Sequence, residues 1–223
     1  MCGRFIQKSE RRIIAEEFYV QEFVDPLVVS YNVAPGQTAG VILGTKGGNE
    51  YAGYRWGLVP SWAKDPAIGN RMINARSETI AEKPSYRSAF RKRRCLVPVD
   101  GFYEWKKDGK LKVPFFIHQQ SGRPFSLAGL WESWNDPDGK RLLTFTIITT
   151  DANERLRALH ERMPVIIPPG ARKLWLDGSA EDMKPLFDLL RPSEEKLLDY
   201  YEVTRFVNSP LNNTPECVEP VKA

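Results

Sequence analysis

The alternation of apolar and polar positions predicts a chain that opens with a helix and continues mainly as strands. Ile13, Ile14 and Phe18 recur at helical spacing after Ser9, which predicts a capped amphipathic helix in a region that Pro26 ends. Residues 40–43 and 51–59 flank the turn-rich GTKGGNE and predict a hairpin. Residues 77–94, broken by Pro84, predict two short helices. CLVPVDGFYEW and KVPFFIH then face each other across KKDGKL, and FSLAGLW faces LLTFTIITT around NDPDGK, giving two more hairpins. Residues 153–159 predict a short helix leading to His160, MPVII a strand, residues 181–190 a last helix, and YYEVTRFV the strand that closes the sheet. Many short strands with helices inserted and no βαβ alternation predict an α+β fold with a curled, mostly antiparallel sheet or barrel-like core.

Composition narrows the functional classes. The 223 residues, 42% of them hydrophobic, show no linker or composition break, which predicts a single domain over 1–223 with a C-terminal tail from about residue 209. No apolar run reaches the roughly 20 residues of a membrane span, and a charged stretch stands where a secretory core would, so a cytoplasmic protein is expected. Cys2, Cys95 and Cys217 are an odd number, which argues against a disulfide framework. His118 and His160 make no zinc spacing with them, so neither a metal nor a cofactor is expected. GTKGGNE lacks the Gly-Lys-Ser/Thr ending of a phosphate loop, which removes ATP chemistry. The 32 Lys and Arg against 28 Asp and Glu leave a formal charge of +4, which admits a nucleic-acid partner without requiring one. The densest basic run, RKRR at 91–94, reads as a DNA contact or as a solvated helix end.

The candidate chemistry begins at MCGRF. An initiator methionine before a small side chain is trimmed, which leaves Cys2 with a free α-amine and a thiol on adjacent carbons. An α-amine titrates near ~7.7 to 8.0, so part of it is unprotonated at neutral pH and can attack an aldehyde. The imine then stands beside a thiol that can add to it and close a five-membered thiazolidine, a step favoured by proximity. Such a terminus is an aldehyde trap.

Proton-moving groups would support that chemistry. His160 in ALHERMPVII lies between a helix and a strand, where an imidazole can donate or accept a proton at working pH, whereas His118 in PFFIH reads as packing. Glu104 lies in the apolar and aromatic VDGFYEWK, where partial desolvation would raise its pKa into a useful range. INARSET supplies Asn74, an amide able to orient a reacting group, and Arg76, a fork suited to phosphate. In WGLVPSWA, Trp56 reads as core and Trp62, in a Pro/Ser loop, as a base-stacking candidate.

With MCGRF, YNVAPGQ, WGLVPSWA, INARSET, CLVPVDGFYEW and ALHERMPVII in this order, the chain resembles the SRAP family, the SOS-response-associated proteins that process abasic sites. The resemblance runs from Cys2 to about RFVNSP at 205–210. It implies a monomer that binds single-stranded DNA at abasic sites, including junctions with duplex, and crosslinks to the opened sugar through Cys2 as a thiazolidine. Of the site residues, it implies catalytic roles for Cys2, Asn74, Glu104 and His160. It further implies phosphate contacts from Arg4, Arg76 and Arg162, and a DNA channel lined by Asn32, Pro35 and Trp62. Lyase-like Schiff-base chemistry, and a peptidase activity in the removal of Met1, belong to the same expectation. Two other readings stay open on the residues: an N-terminal-nucleophile hydrolase using Cys2 on an amide, and a nucleic-acid-binding module without a covalent step.

Overall fold

The strand alternation serves two cores at once. A computed structural model describes residues 2–179 and 181–221. The chain runs β1 (Arg4–Gln7), α1 (Arg11–Phe18), β2 (Val20–Phe23), β3 (Ser30–Val33), β4 (Thr38–Thr45), β5 (Gly48–Trp56) and β6 (Asn74–Arg76). It continues through α2 (Arg87–Lys92), β7 (Arg94–Val99), β8 (Gly101–Asp108), β9 (Leu111–Gln119), β10 (Phe125–Asn135) and β11 (Arg141–Asp151). It ends with α3 (Glu154–Arg157), β12 (Arg162–Pro164), β13 (Ile166–Ile167), α4 (Arg172–Leu176), α5 (Lys184–Asp188) and β14 (Leu198–Glu202).

One sheet has the order β14-β9-β8-β1-β3; the other runs β12-β11-β10-β7-β4-β5-β2. In the second, β5 also pairs in parallel with β11, so β11, β10, β7, β4 and β5 close into a ring. Val41, Val97, Leu127 and Phe145 face inward, where they meet Phe5, Phe102 and Ile117 of the first sheet. Their neighbours Ile42, Leu96, Ala128 and Ile148 face outward, against Phe18, Phe90 and Trp175 of the helical layer. Both faces of the ring strands are thus covered, which is why β7 is buried along its whole length and reads as a continuous apolar run. The α+β class with a curled, barrel-like core is the architecture observed. No helix of the described residues is long and apolar enough to cross a membrane.

Several sequence expectations are corrected. CLVPVDGFYEW is not one strand: β7 pairs with β10 in the ring, and only β8 forms the hairpin with β9. The chain changes sheets at Asp100, whose carboxylate accepts from the N–H groups of Lys8 and Ser9 and from the Ser9 hydroxyl. Ser9 therefore anchors this corner and does not cap α1. Gly101 follows because a Cβ there would lie 2.3 Å from the Phe116 ring and 2.6 Å from the Ile117 carbonyl oxygen. MPVII is split between β12 and β13, and the helix expected over 181–190 is regular only as the short α5.

The tail expected after 208 is part of the fold. Asn213 Oδ1 accepts from the Ser30 hydroxyl and the Tyr31 N–H, and Cys217 is buried with Tyr103, Phe116 and Val207. The RKRR run divides: Arg93 pairs with Glu132 at 2.7 Å, and Arg94 is buried. Arg94 donates to the carbonyls of Phe90, Arg91, Trp175 and Asp177, and so closes the C-terminal ends of α2 and α4.

Candidate active site

β1 is the strand that brings the N-terminus to the chemistry. It is paired on both sides, with Arg4 opposite Tyr103 on β8 and Phe5 opposite Val33 on β3. Continuing the antiparallel register past Arg4 carries Cys2 alongside the stretch of β8 that holds Glu104. Phe102 faces the inner core, and Glu104, two residues on, points the same way and is 5% exposed. A carboxylate at a position where the alternation calls for an apolar side chain is a local conflict of the kind found at functional sites. Cys2 is itself fully buried, and burial first, with the Glu104 carboxylate second, pushes its thiol well above the usual range.

β11 holds the other two groups. It carries β6 by parallel pairing, with Asn74 opposite Ile147, and β12 by antiparallel pairing, with Arg162 opposite Asp151. Asn74 Nδ2 donates to the Cys2 carbonyl oxygen at 2.8 Å, which ties residue 2 to the ring. Asn74 Oδ1 is buried and has no hydrogen-bond partner among the described residues. An uncompensated buried acceptor costs about 1–3 kcal/mol, so a donor supplied from outside would be favoured there. His160 follows α3, whose first turn is capped by the Asn153 side chain. Its Nδ1 accepts the Arg162 backbone N–H at 2.9 Å, which assigns the proton of the neutral ring to Nε2. Glu104 and His160 share a cleft of 420 Å³ with Arg4, Trp105 and Asn208. No group of three or more potential metal ligands occurs among the described residues.

The expected DNA contacts fare unequally. Arg76 is exposed beside Asn74, and Pro35 is exposed in the turn after β3. Arg4 lines the cleft, but its Nη1 donates to Asn32 Oδ1 and the Val207 carbonyl, and its guanidinium lies 5.9 Å from the Trp105 ring centroid. Asn32 is buried, accepts from Arg4 at its Oδ1 and donates its Nδ2 to the carbonyls of Val207, Ser209 and Asn212, so it holds Arg4 and the C-terminal segment. Arg162 is half-buried, with its Nη groups donated to both carboxylate oxygens of Glu78, to Asp151 and to the Thr149 carbonyl. Trp62 is 59% exposed and borders a separate cleft of 530 Å³ with Lys64 and Arg71.

Trp105, Lys107, Lys112 and Asn208 also line the Glu104 cleft and were not singled out from the sequence. The signal was present: Trp105 and Lys107 are two apart on one strand, and their face opposes Lys112 and Pro114 on the next.

Residues 1–210 match the family model described as SOS response associated peptidase (SRAP). The abasic site processing protein YoqW of Bacillus subtilis is 46% identical over 222 residues, spanning 98% of this chain and 99% of that protein. The abasic site processing protein HMCES of Gallus gallus is 36% identical over 86% of this chain and 66% of its own length. A crystal structure of a Bacteroides thetaiotaomicron protein superposes with a TM-score of 0.90 at 29% identity, covering 99% of this chain and all 100% of the other. A family match over residues 1–210, which takes in β1, β6, β8 and β12, makes this chain a member of the SOS response associated peptidase (SRAP) family.

Proposed function

We propose that this chain processes abasic sites in DNA by holding a damaged single strand and capturing its sugar as a covalent thiazolidine on Cys2. The strand is bound by a monomer, within single-stranded DNA or where it meets duplex. The observation that carries this reading is the convergence of polar groups from different elements around Cys2 and the neighbouring cleft: Asn74 donates to the Cys2 carbonyl, the Glu104 carboxylate acts on its buried thiol, and His160 lines a cleft with Glu104. Relatives named abasic site processing proteins support it. Met1, whose removal the reading requires, lies outside the described residues.

Only an amine condenses with an aldehyde to an imine, so the Cys2 α-amine attacks first, at the C1′ aldehyde of the opened sugar. His160 donates its Nε2–H toward the ring oxygen as the hemiacetal opens. Glu104 moves the amine proton as the carbinolamine loses water to the imine. The Cys2 S–H then adds across the C=N bond, sulfur to C1′ and hydrogen to nitrogen, and one water is the only by-product. A saturated C1′ carries no imine to drive β-elimination, so the strand is protected from breakage. Asn74 keeps the reacting residue in register, and its buried Oδ1 accepts from a sugar hydroxyl.

A denaturing gel tests the reading with a uracil-containing oligonucleotide, before and after uracil-DNA glycosylase. A heat-stable shifted band is expected only after glycosylase. Glu104→Gln and His160→Ala are each expected to slow its formation about 10²-fold, with affinity for undamaged strand nearly intact. Equal loss of binding would reassign both residues to structure, and no band with any substrate would leave the hydrolase reading standing.

A further inference from the structure

Lys107 and Lys112 stand directly opposite each other across the β8–β9 ladder. Like charges at facing positions destabilise a strand pair. Lys106 and Lys110 add two more ammonium groups to the same exposed hairpin end, and Asp108 is the one acid in residues 106–112. None of the four lysines makes an ion pair among the described residues. The hairpin end therefore carries four ammonium groups against one carboxylate and no ion pair among the described residues, a conflict that an anionic ligand would relieve.

Location identifies the anion. Lys107 and Lys112 line the cleft of Glu104 and His160, and Lys106 and Lys107 continue with Arg157 into an adjoining cleft of 360 Å³. The two clefts share Trp105 and His160, so the basic side chains form one path leading away from the reacting centre. Trp105 is partly exposed on that path, with its indole N–H fixed on Asn208 Oδ1 at 2.8 Å. Ammonium groups in a row beside an oriented aromatic ring are the make-up of a groove for single-stranded nucleic acid.

We propose that the β8–β9 hairpin is a phosphate arm for the substrate strand. Lys107 and Lys112 clamp one backbone phosphate beside the abasic nucleotide, and Lys106 and Arg157 take the next. The proposal rests on the DNA reading above and names the surface that follows the strand out of the site.

The test is equilibrium binding of an undamaged, fluorescent oligothymidylate across a salt series, with crosslinking to abasic strand measured in parallel. Lys107→Ser/Lys112→Ser is expected to weaken binding on the order of 10-fold at low salt and to shrink the slope of log affinity against log salt by about 0.7, the share of one single-strand phosphate. Lys46→Ser/Lys173→Ser removes the same charge at a separate cleft and is expected to keep the wild-type slope. A smaller slope in the first variant alone supports the arm. If the wild-type protein at the same time forms no adduct, the arm stands and the thiazolidine reading falls. An unchanged slope in the first variant, or an equal change in the second, overturns the arm.

Discussion

Alanine at position 2 is expected to abolish the heat-stable DNA adduct and to raise strand breakage at the abasic site, with folding and affinity for undamaged strand near wild type. Cys2→Ala removes one sulfur from a buried position, a loss of about 1 kcal/mol in a domain of this size. The Asn74 hydrogen bond survives because it is made to the backbone carbonyl of residue 2. The α-amine survives as well. An imine can therefore still form, but no thiol is present to saturate C1′, and the imine either hydrolyses or proceeds to β-elimination. The variant should yield an adduct only when borohydride is added, together with cleaved strand on a denaturing gel. A heat-stable adduct without reductant would assign the stable linkage to another residue.

Replacing Arg94 is expected to destabilise the fold by about 3 kcal/mol or more, a fall in melting temperature of roughly 6–12 °C, without changing the salt dependence of DNA binding. Burial lowers the pKa of this guanidinium, and no carboxylate pairs with it among the described residues. Its partners are four carbonyls at the ends of two short helices, neither of which has a side-chain cap at its start. Arg94→Ala would leave those carbonyls buried without donors and the two helix ends open. Arg94→Lys keeps the charge but loses the fork that reaches both helices at once, and should recover only part of the loss. Thermal unfolding with a parallel salt titration on oligothymidylate checks both halves. An unaltered melting temperature with weakened DNA binding would return the residue to the DNA surface.

The contrast between these two residues shows what was readable in the chain. Hairpins joined by short polar turns, β4–β5 and β10–β11, followed directly from period-two alternation, because each strand's partner lies next to it in sequence. The break at Asp100 did not, although Asp100-Gly101 is a local turn signal, because the residues on both sides of it are apolar; the distant Lys8 and Ser9 fix the corner. Glu104 and His160 stood out locally, the first as a carboxylate in an apolar strand and the second as a histidine at an element boundary. The roles of Asn32, Arg94 and Arg162 are set by partners 175, 81 and 84 residues away, and no local pattern distinguishes such a side chain from one facing solvent. The ring closure of β5 on β11 is likewise a long-range parallel pairing that alternation alone does not announce.

Intact and peptide-level mass spectrometry of the protein after reaction with an abasic oligonucleotide addresses the central claim most directly. The predicted adduct has the mass of the chain without Met1 plus the oligonucleotide minus one water, and fragmentation places it on the terminal Cys2 with no reductant added. An adduct on a lysine side chain, or one carried by a chain that still begins with Met1, would contradict it.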